Sequence, residues 1–296
     1  MHNKTYVTFQ KERDLGAIIS DAFKFLRLEW KPFFGTILKT SMVPILIASV
    51  AMVFYMYTFP GFFSGLGTSK FLEDGVYEET NIGLLLISFT FVGVFFLIAY
   101  VVINITALYY IESYIQNKGN IDYAMIQERI KDKFWSFTGL FILVGVIVVF
   151  SIFLCVFPVV YTSVVLSFAA PILVYRKLSV SDTIGFSFKF MNGHWWETFG
   201  VLIVVSIITS IMGSIFSIPG VIYFFVKAGT VLSASDPLAQ IDALKDPVYL
   251  LINSFSYIGQ FILYGITLVC QVLLYFDIAE QKYGTGTLEN IENLGR

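Results

Sequence analysis

Six polar residues near the ends of long apolar stretches are the best placed in this 296-residue chain to do chemistry. They are Asn104, Glu112, Arg176, Gln271, Asp277 and Glu280. Ionisable groups are costly inside a bilayer, so their placement there suggests a functional site. We therefore consider a polar vestibule that opens to the cytoplasm. In it Asn104, Gln271 and Asp277 would meet, and the other three residues would lie at its mouth.

The alternative is that these residues are only structural. Asn104 and Gln271 can bond each other or a backbone carbonyl between helices, which is worth about 1 kcal/mol for each bond. The charged residues would then simply be solvated at helix ends. The sequence favours this alternative, because it places almost no ionisable residue at mid-depth in any apolar stretch.

Composition indicates a membrane protein and argues against most catalytic chemistry. Hydrophobic residues make up 57% of the chain and charged residues 14%, with a mean hydropathy of +0.77, whereas about a quarter of a soluble domain is charged. The formal net charge of −2 gives no basic footprint for nucleic acid. Two histidines are too few for the common catalytic motifs. Cys155 and Cys270 lie in separate apolar runs, where we expect them to be packing residues. We predict a protein that is not an enzyme, with no catalytic, metal-binding or cofactor-binding residues.

Six apolar stretches are long enough to cross a bilayer core of about 30 Å as helices. They are residues 36–59, 82–110, 137–156, 159–175, 198–218 and 248–276. The third and fourth adjoin, and we place the break between them at Pro158, because proline disrupts a helix interior. A re-entrant pair is the alternative there. Pro219 and Gly220 are expected to end the fifth helix, with residues 221–226 folding back or lying along the interface.

The distribution of positive charge predicts the orientation. Of 19 Lys and Arg residues, 16 lie on the side that holds both termini. The opposite side has only Lys70, Lys227 and Lys245, and its first loop carries the acids Glu73, Asp74, Glu78 and Glu79. The positive-inside rule therefore places both termini in the cytoplasm. We predict a multi-pass protein of a bacterial cytoplasmic (inner) membrane.

An amphipathic stretch followed by an aromatic cluster and a glycine occurs three times. The distance from the start of the stretch to its tryptophan is 15, 14 and 15 residues. The three pairs are Leu15 and Trp30, Ile121 and Trp135, and Val180 and Trp195. We predict an all-α membrane protein in which six transmembrane helices form three parallel repeats, each a cytoplasmic amphipathic interfacial helix followed by a transmembrane hairpin. It would be one domain over residues 1–296, with repeats at about 13–112, 120–176 and 179–280 and a short cytoplasmic tail at 281–296.

Each amphipathic stretch is expected to lie in the membrane interface with its apolar side chains in the acyl boundary. Tryptophan marks headgroup depth, which predicts four interfacial anchors: Trp30, Trp135, Trp195 and Trp196. The glycine after each aromatic cluster would let the chain turn from the interface into the membrane. These glycines are Gly35, Gly139 and Gly200.

Small residues recur on the fifth apolar stretch. Ser206, Ser210 and Ser214 are spaced four apart, with Gly213 and Ser217 adjacent, a pattern that permits close approach of membrane helices. We expect this stripe to serve internal packing rather than oligomerisation.

The segment from Ala170-Pro171 to Phe199-Gly200 combines a proline-bearing span end, an amphipathic stretch and a Trp-Trp pair before the next span. In this segment and in its six-span layout, the chain resembles a group of bacterial membrane proteins of unassigned activity. They are similar to the membrane domain that accompanies some glycerophosphodiester phosphodiesterases. In that family the activity belongs to a separate barrel of about 250 residues, for which this chain has no room. The resemblance implies a membrane module and carries over no catalytic residue.

These observations favour a non-catalytic membrane module, a scaffold or accessory subunit whose interfacial helices act on lipid or on a partner protein. The alternative is a transporter or flippase for a lipid or another apolar solute, because proline and glycine interrupt two of the spans. An integral-membrane enzyme that uses Glu112, Asp277 or Glu280 on lipid headgroups is the least favoured hypothesis. The expected partners are membrane lipids and a protein, with no nucleic acid.

Overall fold

The computed structural model describes residues 6–67, 82–154, 156–231 and 245–284, and within these ranges the chain is helical with no strand. The helices are α1 (Leu15–Gly67), α2 (Ile82–Gln116), α3 (Tyr123–Leu154), α4 (Val156–Leu166), α5 (Ala169–Arg176), α6 (Val180–Met191), α7 (Trp195–Val231) and α8 (Pro247–Tyr283). Most of the predicted acidic loop, Cys155 and residues 285–296 of the predicted tail lie outside the described residues.

Six of the described helical segments are long and apolar enough to cross a membrane, as expected of a multi-pass membrane protein. They are α1, α2, α3, α4 together with α5, α7 and α8. At 1.5 Å per residue the 35 residues of α2 extend for about 50 Å, which exceeds the roughly 30 Å of a bilayer core. The longer helices must therefore carry part of their length beyond the hydrocarbon region.

The chain divides into two compact units. Unit 1 comprises Met1–Thr40, Val101–Thr209 and Tyr264–Arg296, and unit 2 comprises Ser41–Tyr100 and Ser210–Leu263. Unit 1 contains the whole of α3, α4, α5 and α6. It also contains the C-terminal part of α8. All six residues of the predicted vestibule belong to unit 1.

The core of unit 1 is aromatic and includes the extended segment before α1. Phe9 packs edge-on against Phe25 of α1 and Tyr114 of α2, with ring centroids 5.4 and 6.0 Å apart. The Val7 amide donates to the Tyr114 hydroxyl at 3.1 Å. Phe9 also packs on Phe276 of α8 at 6.3 Å. The N-terminal segment is thus tied to two helices that lie far away in sequence.

The apolar stripe of the first amphipathic stretch faces protein rather than an acyl boundary. Ile18, Ala22 and Phe25 are at most 2% exposed. In α6 the apolar residues Phe190 and Met191 are likewise buried in unit 1. In these two helices the core of unit 1 therefore covers apolar side chains that were expected to face the acyl boundary.

The predicted bends at three glycines are wrong. Helix α1 continues through Gly35, α3 through Gly139 and α7 through Gly200. Only the third amphipathic stretch forms a separate helix, and the chain turns before α7 at Gly193, which has a φ of +88°. A single glycine costs a helix only about 1 kcal/mol, which the flanking apolar turns readily offset.

The break near Pro158 is confirmed, because α3 and α4 pack side by side. The Thr162 hydroxyl of α4 donates to Ser151 of α3 at 3.2 Å. Eleven residues of straight helix would separate these side chains by about 16 Å, so the chain must turn between them.

In unit 2 the expected helix end at Pro219 is wrong, since α7 runs through this proline. Pro219 cannot donate to the carbonyl one turn earlier. The neighbouring Phe216 carbonyl accepts a 2.6 Å hydrogen bond from Ser256 of α8. Gly220 lies against Asn253, so the two helices approach closely next to Pro219. Tertiary contacts here support a helix that the local sequence would interrupt.

The packing face of α7 in unit 2 is formed by glycines and not by the serine stripe. Gly213 is buried against Gln260, whereas Ser210 and Ser214 are exposed. A Cβ on Gly259 of α8 would lie 2.5 Å from the Phe216 ring. The expected internal packing of this stripe therefore holds for Gly213 but is wrong for Ser210 and Ser214.

An ion pair caps α8 at the start of its unit 2 portion. Lys227 Nζ lies 2.9 Å from Asp246, and Tyr223 donates to the same carboxylate at 2.8 Å. The carboxylate also accepts the Val248 amide at 2.9 Å, as an N-cap does. The hydrogen bond from Lys227, followed by that from Tyr223, lowers the pKa of Asp246 to about 2.

Candidate functional site

Asp277 of the predicted vestibule binds the N-terminal segment of the same chain. Its carboxylate accepts the backbone amide of Arg13 at 2.7 Å and the Gln281 side chain at 3.2 Å. The residue is only 4% exposed. This carboxylate therefore joins two ends of the sequence that lie 264 residues apart.

The Arg13 side chain completes that connection by binding backbone as well as acid. Its Nε donates to Asp21 of α1 at 3.0 Å, and one terminal nitrogen donates to the Phe9 carbonyl at 2.6 Å and the Lys11 carbonyl at 2.9 Å. The other terminal nitrogen contacts the Thr8 carbonyl. Burial lowers the pKa of Arg13, while Asp21 favours its charged form. The guanidinium thus fixes the fold of residues 8–13 and docks them on α1.

A second buried acid lies nearby in unit 1. Glu29 of α1 is 6% exposed and accepts the Tyr110 hydroxyl of α2 at 2.8 Å. Tyr110 is fully buried, and its ring packs on Phe33 at 5.2 Å. A buried carboxylate needs such a partner, because an unsatisfied polar group costs free energy.

Two of the predicted mouth residues have partners within the protein. Arg176 lies 4.3 Å from the centroid of the Tyr283 ring and 5.3 Å from that of Phe186. Glu112 accepts a hydrogen bond from Gln116 at 3.1 Å. Lys177 and Arg129 lie close enough to Glu112 to act on it electrostatically. Arg129 belongs to α3 and Lys177 directly follows α5, so the positive charges near Glu112 come from these two parts of the chain.

The remaining predicted vestibule residues lie in the core of unit 1. Asn104 is 1% exposed, Glu280 6% and Gln271 8%. With Asp277, this gives four buried polar side chains on α2 and α8. That they form a vestibule open to solvent stays a prediction. Asp277, Glu112 and Arg176 each have a partner residue within this chain.

Three of the four predicted anchors are exposed. The exposed fraction is 50% for Trp30, 77% for Trp135 and 73% for Trp196. Trp195 is half-buried and stacks on Phe199 at 5.0 Å. A large aromatic side chain this exposed is costly in water, so these three are suited to a membrane interface or a protein partner.

Within the described residues, no group of three or more His, Cys, Asp or Glu side chains is arranged to hold a metal ion. The buried acids Glu29 and Asp277 instead bond a tyrosine hydroxyl and a backbone amide. These acids therefore act as structural acceptors.

Comparisons with known proteins add no family to this geometry. No protein-family model matches the chain, and no curated protein or solved structure matches it significantly. The resemblance to membrane domains of glycerophosphodiester phosphodiesterases therefore stays a prediction. Function has to be argued from the residues themselves.

The roles of Arg13, Asp21 and Glu29 were not predicted from the sequence. For Glu29 a signal was present, because it continues the buried stripe of Ala22 and Phe25 at helical spacing and so occupies a core position. For Arg13 there was none, since its docking depends on an acid 264 residues away.

Proposed function

We propose that the chain is a non-catalytic membrane module, a scaffold or accessory subunit that acts on lipid or a partner protein through one surface of unit 1. That surface, here called the tryptophan face, is defined by Trp30, Trp135 and Trp196. It would lie at the cytoplasmic interface of a bacterial inner membrane, as the excess of Lys and Arg on that side suggests.

The proposal rests on a difference between two kinds of residue. The buried acid Asp277 is already hydrogen-bonded within the chain, whereas three tryptophans are exposed. Asp277 is the least exposed acid of the predicted vestibule, at 4%, and accepts the Arg13 amide. Trp135, by contrast, is 77% exposed. A group that already serves the fold is poorly placed to turn over a substrate. An exposed tryptophan is well placed to bind another surface, because such residues often carry much of the binding energy.

The repeat adds support of a different kind. The three stretches that lead to Trp30, Trp135 and Trp195 have nearly equal length, so related surfaces would be presented by three parallel repeats. In this proposal the amphipathic stretches hold the tryptophans at the interface, while the core of unit 1 covers much of their apolar sides.

Site-specific photo-crosslinking in intact membranes tests the proposal. A photoreactive phenylalanine analogue replaces Trp135 or Trp196, and the matched control carries it at Val146, which is 46% exposed but lies farther along α3. Capture of one protein at both tryptophan positions and not at Val146, with stoichiometric recovery in mild detergent, would support an accessory role. Capture of no protein at any position, with a solitary protein carrying one lipid species, would favour the transporter alternative.

A further inference from the structure

A groove between α1 and α3 in unit 1 has the chemistry of an anion site. Its volume is about 250 Å³, and it is lined on one side by α1 residues from Lys31 to Thr40 and on the other by Tyr123, Ile126 and Gln127 of α3. None of these residues belongs to the predicted vestibule. The groove begins directly after Trp30 of the tryptophan face.

Two lysines and a glycine form the α1 side of this groove. Lys31, Gly35 and Lys39 are spaced four apart, so they share one face of the helix, with the glycine between the two lysines along the chain. A Cβ placed on Gly35 would meet no atom within 4 Å. The glycine therefore leaves open space that the flexible stems of both lysines can reach.

Neither lysine forms an ion pair with a carboxylate of the described residues. The acids adjacent in sequence to the opposite wall are Asp122 and Glu128, and the Asp122 carboxylate accepts the Met125 amide at 3.0 Å as the cap of α3. The other wall is the first turns of α3, whose free amides add partial positive charge. The formal positive charge of the groove therefore comes from Lys31 and Lys39 on the α1 side.

We infer that this groove binds the phosphate group of an anionic phospholipid headgroup. Lys31 and Lys39 supply the charge, and the Tyr123 hydroxyl and the Gln127 amide supply neutral donors from the opposite wall. The inference rests on the proposed function and specifies its lipid target. It also rests on the proposed orientation, because anionic lipids concentrate in the cytoplasmic leaflet.

A lipid fits the flanks of the groove better than a free phosphate ion does. On α1 the residues before the groove include Leu28 and Trp30, which are 41% and 50% exposed. The basic groups are therefore bordered along the helix by apolar side chains that can contact acyl chains, as expected at a membrane surface.

Binding of short-chain phosphatidylglycerol to the full chain in a neutral detergent tests the inference. Each lysine is expected to contribute about fivefold to affinity, so replacing both Lys31→Gln and Lys39→Gln should weaken binding about twenty-five-fold. Lys24→Gln is the matched control, because Lys24 is exposed on α1 outside the groove. Equal effects of the control and the double variant would overturn the inference.

A steric variant tests the location independently of charge. Gly35→Leu fills the open space and should weaken binding at least tenfold, whereas Gly139→Leu should leave it unchanged. Both glycines lie inside helices, and a Cβ on either meets no atom within 4 Å, so both variants are expected to fold. Equal binding by the two leucine variants would place the lipid elsewhere.

Two further probes separate the lipid from other sources of the same chemistry. Short-chain phosphatidylcholine has no net charge and should bind at least tenfold more weakly than phosphatidylglycerol. Inorganic phosphate at equal concentration should not displace the lipid. Displacement by phosphate, or equal binding of the two lipids, would overturn the lipid assignment. Groove variants that no longer bind the lipid should leave protein capture at Trp135 intact. Failure of this inference can therefore be distinguished from failure of the proposed function.

Discussion

Replacing Arg13 should release the N-terminal segment from unit 1. The Arg13 side chain is 0% exposed, and its Nε donates to Asp21. Arg13→Met keeps an extended apolar stem but removes every side-chain donor, while the backbone amide that Asp277 accepts remains. Breaking a buried charged pair costs about 3 to 5 kcal/mol. We expect the lower end, about 3 kcal/mol, because Asp21 keeps Lys11 and the arginine no longer has to be desolvated.

Lys11→Met is the matched control for this prediction. Lys11 bonds the same carboxylate at 2.9 Å, but its side chain is 50% exposed. An exposed ion pair contributes under about 1 kcal/mol. Both variants remove a partner of Asp21, but only Arg13→Met also removes a buried side chain that binds backbone carbonyls of the N-terminal segment.

Hydrogen exchange of residues 6–13 in mild detergent measures the effect. About 3 kcal/mol corresponds to a rise of roughly a hundredfold in the opening equilibrium of this segment for Arg13→Met. For Lys11→Met the rise should stay below about fivefold. The reasoning would be refuted if both variants opened the segment to the same extent, or if Arg13→Met left its exchange unchanged.

Three further predictions concern other contacts. Gly259→Ala should lower the free energy of unfolding in detergent by about 1 to 3 kcal/mol, because its Cβ would lie 2.5 Å from the Phe216 ring. The pair Glu29→Met and Tyr110→Phe should show a coupling energy of about 1 to 3 kcal/mol in a double-mutant cycle of unfolding, because each change removes one partner of the hydrogen bond. The Tm difference between wild type and Asp246→Asn should stay constant from pH 7 to about 4. It should then shrink toward pH 2, because a depressed pKa gives stability that is lost only as the pH falls through the folded value of about 2.

Each of these has an outcome that would contradict it. A stability of Gly259→Ala equal to that of wild type would show that the helices can shift apart at no cost. Additive effects in the double-mutant cycle would mean that the buried acid gains nothing from the tyrosine hydroxyl. A Tm difference for Asp246→Asn that already changes between pH 7 and 5 would assign the titration to another group.

Hydropathy was sufficient to predict six apolar helices, because the length of an uninterrupted apolar run is a local property. The chain reversal near Pro158 was also predictable, since the joined apolar stretch is too long for one span. Local signals failed where tertiary contacts oppose them. Pro219 predicts a helix end, yet α7 continues while Ser256 of α8 bonds the Phe216 carbonyl.

The polar residues illustrate the same limit. Spacing along α2 and α8 was enough to select Asn104 and Asp277, and both prove to be buried in unit 1. Nothing local indicated that Asp277 would accept the Arg13 amide, because a pattern on one helix contains no information about a segment 264 residues away. The amphipathic period of α1 was visible, but not which surface would cover it.

The central claim is that the tryptophan face carries the function and the buried acid Asp277 serves the fold. Native mass spectrometry of the protein released from its own membranes tests this claim, by comparing Asp277→Asn with a Trp135→Ala and Trp196→Ala double variant. Asparagine still accepts the Arg13 amide, so we predict that Asp277→Asn retains the bound protein and lipid of the wild type while the tryptophan variant loses the bound protein. Loss of bound molecules from Asp277→Asn together with full retention by the tryptophan variant would contradict the account.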